Sequence, residues 1–297
     1  MALDFLLQLL VNGFIIGLLY GVVAMSFVLI YKSSMVVNFA QGEFLLVGAW
    51  ACWWMLAQFP IPFYLAFLFT LAFMTIFGIL IQLVVLRPLI GEPIISIIMV
   101  TIGLSIFFQA IMKWMFGVFT EPFPTIFENN SVNFLGLEVQ TVYIMSGLIS
   151  ILIMISFAIF FKKSRLGLAM RATAFDQQAA QSLGVSVKEV FSAAWGISAL
   201  VSAVAGVVFG IVNGVSSGIS IIGIKVFPAV ILGGLDSVLG AVLGGLVIGL
   251  LENLAQYLDV QYFNFGNLYN IAPFYALIII LMIKPYGFFG TKDIERV

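Results

Sequence analysis

Long apolar runs separated by short polar segments dominate this sequence of 297 residues. A helix needs about 20 predominantly apolar residues to cross the hydrocarbon core of a bilayer. The pattern therefore predicts an all-α polytopic integral membrane protein with eight or nine passes, in a single transmembrane domain over residues 1–297. The seventh run is short and contains Pro228, so it is either a full pass or a broken or re-entrant helix. The runs are residues 5–31, 39–58, 62–86, 93–116, 141–161, 190–212, 219–235, 237–257 and 268–284.

Composition supports the same class of protein. Hydrophobic residues make up 63% of the chain and charged residues only 8%, whereas a soluble domain carries about a quarter charged residues. No stretch is left for a separate soluble domain. The net charge of -1 gives no basic surface for nucleic acid, so nucleic acid is not an expected partner. Residues 1–10 contain Asp4 but no Lys or Arg, so we expect the first helix to be retained rather than cleaved as a signal peptide.

The residue types and motifs needed for catalysis are missing from the sequence. It contains no histidine, which excludes His-based metal sites, proton relays and catalytic triads. It also contains no Gly-Lys dipeptide and hence no Walker A phosphate loop, so this chain cannot be the ATPase of a pump. We therefore expect no catalytic residues, no metal site and no cofactor.

Basic residues predict the orientation in the membrane. Residues 162–189 carry five basic and two acidic side chains, a net +3, which is typical of a cytoplasmic loop. The 117–140 connection contains Glu residues but no Lys or Arg and is then external. Nine crossings place the N-terminus outside and the tail with Lys284, Lys292 and Arg296 inside. Only Lys113 and Lys225 among the twelve basic residues then fall elsewhere.

Polar residues between the first two apolar runs are candidates for contact with a solute, because polar groups at membrane depth are costly unless they have a role. Asn38, Gln41 and Glu43 lie in this segment, just after Ser33 and Ser34. An unwound segment here would line a cavity and hydrogen-bond a small polar solute. The alternative is a cytoplasmic turn, with Asn38 as the N-cap of the second helix and Glu43 in its first turn.

A second set of polar residues recurs every four positions. Thr101, Ser105 and Gln109 share one face of the fourth predicted helix, where they either line a pathway or form hydrogen bonds between helices. Glu252 and Asn253 end another apolar run, at an outer mouth or in the headgroup region. The candidates for a substrate pathway are Asn38, Gln41, Glu43, Thr101, Ser105 and Gln109.

Glycines also recur at four-residue spacing. Gly13, Gly17 and Gly21 form one such ladder, and others run through 206–218 and 240–249. Small residues on one face let helices approach closely in lipid. The ladders indicate either helices that slide or rock, or ordinary membrane helix packing.

The cytoplasmic segment predicts a short helix over Ala169–Leu183, with Gly184 at its C-terminal cap. This helix is too short and too polar to span a membrane. It suits docking into a groove on a partner, and the alternative is a solvated connecting helix.

Residues 178–184 resemble the EAA loop of ABC importer permeases, with Gln178 in place of Glu. More specifically, the chain is similar to branched-chain amino-acid permeases of the LivH/LivM type. Two departures stand out: the family commonly has His where Gln41 stands and often Gly in place of Asp236, and the change at Gln41 puts the substrate in doubt. The matching stretches are residues 17–20, 37–44, 87–89, 101–105, 166–174, 233–241 and 284–290.

The resemblance implies a multi-pass permease of the bacterial inner membrane that imports branched-chain or other small amino acids by alternating access. It also implies a homologous second permease or a second copy of this chain, two cytoplasmic ATP-binding subunits, a periplasmic substrate-binding protein and contact with membrane lipid. Alternatives are a related importer of urea, short amides or simple sugars, or a stand-alone secondary transporter. The candidates for coupling to the ATPase are Arg171, Asp176, Gln178, Ala179, Ala180 and Gly184.

Overall fold

A computed structural model describes residues 2–124, 130–134 and 137–290. Within these residues each predicted apolar run is helical. Six stretches are long and apolar enough to cross a membrane, and this confirms the prediction of an α-helical polytopic membrane protein. The nine helices that correspond to the nine predicted apolar runs, of which α2, α9 and α11 are not among these six stretches, are α1 (Ala2–Ser34), α2 (Gln41–Gln58), α3 (Phe63–Ile81), α4 (Ile94–Phe116), α5 (Thr141–Lys163), α8 (Val187–Asn213), α9 (Ile219–Gly233), α10 (Val238–Leu258) and α11 (Leu268–Ile283).

Helix α9 corresponds to the seventh run. It is continuous through Pro228, so it is short rather than broken. Its 15 residues rise about 22 Å, less than the roughly 30 Å of the hydrocarbon core. Helix α11 is similarly short and contains Pro273.

The remaining elements lie between the apolar helices. Helix α3 continues into a π-helical turn, Gln82–Leu86, and a 3-10 turn, Arg87–Leu89, and α10 ends in a second π-helical turn, Asp259–Phe263. Helices α6 (Arg165–Phe175) and α7 (Gln177–Ser182) form the polar 162–189 segment. Strands β1 (Ser131–Phe134) and β2 (Leu137–Gln140) pair antiparallel between α4 and α5, with Ser131 opposite Gln140, a hairpin that the hydropathy pattern did not predict. Lys292 and Arg296, which enter the orientation prediction, lie outside the described residues.

The chain divides into two compact units. Unit 1 contains residues 1–28, 127–152 and 225–297, and unit 2 contains residues 29–126 and 153–224. The expectation of a single transmembrane domain over residues 1–297 stays a prediction.

Unit 2 has α2 and α3 packed against α8 at its centre. The first ten residues of α2 are buried on every side, because other helices surround this part of α2. The ring of Phe44 meets those of Phe77 and Trp195 edge-to-face, at centroid distances of 5.6 and 6.0 Å. Glycines allow the close approach: a Cβ at Gly206 of α8 would run into the carbonyl oxygen of Leu45.

Unit 1 shows what two of the glycine ladders do. Gly17 and Gly21 of α1 face Gly245 and Gly249 of α10, and a Cβ at Gly17 would lie 2.8 Å from the Cα of Leu246. The two ladders therefore form one crossing at which the backbones touch. This is the packing that small residues permit between membrane helices.

Replacement of Gly206 by Ala tests this packing. The added methyl group meets the backbone of Leu45, so Gly206→Ala is expected to destabilise the fold by roughly 1–3 kcal/mol, although Ala favours helix. Gly103→Ala in α4 is the matched control, because no atom lies within 4 Å of its added Cβ. Thermal unfolding of detergent-purified protein measures both, and equal stability of the two variants would contradict the packing described here.

Candidate functional site

The connection between α1 and α2 is a non-helical segment of residues 35–40. The Asn38 side chain is buried there; its Oδ1 accepts from the backbone N–H of Ala40 at 3.0 Å, and its Nδ2 donates to Gln41 Oε1 at 3.0 Å. Ala40, not Asn38, directly precedes the helix, so the interpretation of Asn38 as the N-cap is wrong. Asn38 instead stabilises a turn, because its side chain accepts a hydrogen bond from the backbone two residues further on.

Gln41 binds α2 to α8. Its side chain is fully buried, and its Nε2 donates to Ser198 Oγ at 3.0 Å and also to Ser202 Oγ. The two serines are four residues apart on α8, on one face of the helix. The sequence analysis missed them, although their spacing was the available signal.

Glu43 lies two residues further along α2 and is also buried, with 3% of its surface exposed. Its Oε1 accepts a hydrogen bond from Ser105 Oγ of α4 at 2.9 Å. Its Oε2 has no hydrogen-bond partner within the described part of the chain. The carboxylate therefore has one buried oxygen without a donor in this part of the chain.

The face of α4 that carries Ser105 continues as a line of polar groups. Gln109 Nε2 donates to Ser220 Oγ of α9 at 3.1 Å, and Lys113 Nζ donates to Gln109 Oε1 at 3.2 Å. From Ser105 to Lys113 the helix rises about 12 Å. We name these residues the polar track: Glu43, Ser105, Gln109, Lys113 and Ser220.

The three polar residues of α4 that were predicted either to line a pathway or to bond between helices, Thr101, Ser105 and Gln109, have different partners. Ser105 and Gln109 do bond to neighbouring helices. Thr101 does not join them, because its hydroxyl group donates to Ile98 O of its own helix. Lys113 and Ser220 were not predicted as site residues. The available signal was Lys113, which continues the four-residue spacing and is one of the two basic residues outside the predicted cytoplasmic segments.

A second buried charge cluster lies in unit 1. Lys225 Nζ of α9 is 2.6 Å from Glu252 Oε1 of α10, and Tyr20 Oη donates to Glu252 Oε2 at 2.6 Å. The ring of Tyr269 lies 5.3 Å from Lys225 Nζ. The ion pair neutralises Lys225. This accounts for a basic residue outside the predicted cytoplasmic segments. Glu252 and Asn253 are both buried within the protein, and their place at an outer mouth or in the headgroup region stays a prediction.

The predicted single helix over Ala169–Leu183 is wrong, because α6 and α7 are separate helices. Asp176 between them has an extended backbone, and its side chain accepts hydrogen bonds from the N–H groups of Gln178 and Ala179 at 2.8 and 2.9 Å. An aspartate in this position caps the start of a new helix. Gly184, with φ of +86°, then ends α7.

The other predicted coupling residues have different surroundings. Arg171 donates to the carbonyl oxygen of Phe161 and lies over its ring, which ties α6 to the end of α5. Ala180 is buried, whereas Gln178 and Ala179 are exposed. The segment is therefore held against the chain at Arg171 and Ala180, and residues 175, 176, 178 and 179 between them are exposed.

Two large apolar side chains project from this segment. Phe175 at the end of α6 is 95% exposed, and Leu183 directly after α7 is 84% exposed. Neither residue was predicted as a coupling residue, although Phe175 precedes and Leu183 lies within the 178–184 motif. We name them the exposed apolar pair.

Taken together, a buried ion pair and polar side chains that bond between long apolar helices define the class: an α-helical multi-pass membrane protein of the transporter kind. Among the described residues no group of three His, Cys, Asp or Glu side chains could hold a metal ion. The chain belongs to the family described as branched-chain amino acid transport system / permease component, whose model matches residues 9–283.

Characterised relatives agree with the family. The chain is 32% identical over 306 residues to the high-affinity branched-chain amino acid transport system permease protein BraD of Pseudomonas aeruginosa, covering 98% of each protein. It is 28% identical over 309 residues to the permease protein LivH of the same kind of system in Escherichia coli K12, covering 99% of this chain and 98% of LivH. A probable LivH of Methanocaldococcus jannaschii is also 28% identical, over 92% of this chain and 90% of that protein.

A solved structure supports the fold. A chain of PsaBC from Streptococcus pneumoniae, in complex with Fab, superposes with a TM-score of 0.53 at 18% identity. The superposition covers 95% of this chain and 92% of that chain.

Removal of Lys225 tests the buried ion pair. Lys225→Met leaves the Glu252 carboxylate buried without its cation, and we expect this variant to lose about 3–5 kcal/mol of stability. The double variant Lys225→Met/Glu252→Gln removes both charges and should recover most of that loss. Thermal unfolding of the purified variants gives the coupling energy of the pair; additive losses would show that the two charges do not stabilise each other.

Proposed function

We propose that this chain is a membrane subunit of an ATP-driven importer in the bacterial inner membrane, and that it translocates branched-chain or other small apolar amino acids. The observation that carries the proposal is similarity to permease proteins of branched-chain amino acid transport systems along nearly the whole chain. The ATPase activity would reside in separate subunits, since this sequence has no phosphate loop.

The proposed assembly contains a second permease, either homologous or a second copy, together with two cytoplasmic ATP-binding subunits and a periplasmic binding protein. Lipid or the second permease would cover the outward face of α4, where Ile95, Ile106 and Trp114 are largely exposed apolar side chains. Such a face is not stable against water over this length. No nucleic acid partner is proposed.

The polar track is the proposed site of contact with the solute. The free Oε2 of Glu43 suits the ammonium group of an amino acid, because a buried carboxylate oxygen gains most from a charged donor. The ammonium group of Lys113 suits the solute carboxylate further along α4. Ser105, Gln109 and Ser220 supply hydrogen bonds between these two ends, so that a zwitterion need not lose all its polar partners when it leaves water.

The other predicted pathway residues have supporting roles in this proposal. Gln41 and Asn38 fix the start of α2 through their hydrogen bonds and so position the carboxylate of Glu43. Thr101 bonds only within α4 and packs beside the track. Alternating access would require α2, α4 and α9 to separate and re-form these contacts in each cycle.

The 162–189 segment is the proposed coupling element. Phe175 and Leu183 would enter apolar pockets of an ATP-binding subunit, since large exposed apolar side chains are typical interface anchors. The Asp176 cap fixes α7 relative to α6, and Gly184 provides the turn that follows. The hydrogen bond from Arg171 of α6 to the end of α5, together with the packing of α6 and α7 on α8, would transmit the displacement to the rest of unit 2.

Loss of the Glu43 charge tests the proposed site. In the complete importer, Glu43→Gln should reduce uptake of labelled leucine about tenfold or more, because a neutral amide is a weaker acceptor for an ammonium group. Thr75→Val is the matched control: the Thr75 hydroxyl group bonds only to Leu71 O of its own helix, and uptake should persist. Wild-type importer that carries no amino acid would refute the function, and equal uptake by both variants would refute the role of Glu43.

Substitution of the exposed apolar pair tests the coupling. Phe175→Asp and Leu183→Asp should each weaken association with the ATP-binding subunits about 30-fold, the equivalent of roughly 2 kcal/mol for one anchor. Phe175→Leu and Leu183→Met keep an apolar side chain and should retain association. Co-purification and ATP-driven uptake measure the effect at constant membrane levels; full uptake by the Asp variants would place the docking surface elsewhere.

A further inference from the structure

A cavity of about 150 Å³ lies in unit 2, beside the π-helical turn that follows α3. Its walls come from the end of α1, the start of α4, α8 and α7. Leu86, Leu89, Phe191 and Trp195 make most of the lining apolar. The cavity is separate from the polar track, none of whose residues line it.

Gln82 gives the cavity a polar contact point. The residue is 1% exposed, and its Oε1 accepts from Ser192 Oγ at 2.6 Å. Its Nε2 has no partner among the described residues, and Gln82 lines the cavity. A buried amide N–H without an acceptor is costly and rare in native proteins, so such a group needs an explanation. Its place at the first residue of a π-helical turn is typical of functional positions.

The size and lining of the cavity restrict the ligand. A cavity of about 150 Å³ with apolar walls accommodates a group of the size of benzene, which is also the scale of a branched aliphatic side chain. The N–H of Gln82 suits a carboxylate oxygen, and the exposed carboxylate of Glu92, also in the lining, suits an ammonium group. An amino acid with a branched apolar side chain has all three features.

The cavity also touches the coupling segment. Gln177, the first residue of α7, is part of the lining and follows the Asp176 cap. A ligand in the cavity would therefore contact the helix that is proposed to move during coupling. Occupation would hold α7 against the end of α3 and resist that movement.

We propose that this cavity is a second, regulatory binding site for free branched-chain amino acid, through which accumulated product slows the importer. The inference rests on the proposed function for the identity of its ligand. It assigns Gln82 and the cavity a role that transport itself does not require.

Direct binding tests the site without any transport. Purified full-length chain carrying Glu43→Gln, which removes the carboxylate of the polar track, should bind labelled leucine saturably, and adding Gln82→Met or Leu89→Trp should weaken that binding about tenfold or more in each case, by removing the donor and by filling the space. Val84→Trp is the matched control, since Val84 belongs to the same turn but is 70% exposed and does not line the cavity, and binding should be unchanged. Undiminished binding by both cavity variants, or no saturable binding up to about 10 mM leucine, would overturn the proposal.

A transport measurement separates this inference from the proposed function. Vesicles with the complete importer are either empty or loaded with unlabelled leucine, and the initial uptake of labelled valine is compared. We expect internal leucine to slow the wild type several-fold and to leave Leu89→Trp unaffected. Equal initial rates of valine uptake into empty and loaded vesicles would overturn the proposed regulation but not the proposed function. No uptake into empty vesicles would refute the proposed function, and the binding measurement would still decide on the cavity.

Discussion

The constraint on which this structure depends is that a polar group buried in an apolar helix bundle must find a partner. Gln41 forms hydrogen bonds with two serines and an asparagine, and Lys225 forms an ion pair with Glu252. Against this background the two unpaired buried atoms of the described side chains, Glu43 Oε2 and Gln82 Nε2, are informative. A buried carboxylate oxygen or amide N–H without a partner is costly, and each of these atoms is therefore the starting point of a proposal about a ligand.

Van der Waals packing between closely approaching backbones is the second interaction that stabilises each unit. Water is absent between membrane helices, so the hydrophobic effect gives them little reason to associate, and van der Waals packing must replace it. Gly206 against Leu45 in unit 2, and Gly17 against Leu246 in unit 1, provide that packing. The backbones of helices in such contact leave no gap between them to absorb a displacement. The same packing also occurs between membrane helices that do not move.

Within the described residues, each apolar run of the sequence is helical as predicted, because length and hydropathy depend only on local sequence. The face shared by Ser105 and Gln109 was also predictable, since helical periodicity fixes it. The break at Asp176 was not anticipated, because its effect depends on which competing hydrogen bonds the side chain makes. The partners of Glu252 and the position of Gln82 in a cavity depend on contacts between segments far apart in sequence, and periodicity carries no information about those.

The geometry around Gln41 bears on the departure from the family pattern, in which His commonly occupies this position. Gln41 accepts one hydrogen bond, from Asn38, and donates to Ser198 and Ser202. A neutral imidazole also has one acceptor and one donor nitrogen, so it can bridge the same elements with one donated bond fewer. A His at this position would therefore also be able to join α2 to α8 from within the protein. Because Gln41 is fully buried and its amide donates to α8, we expect Gln in place of His to change how α2 is anchored rather than the surroundings of Glu43.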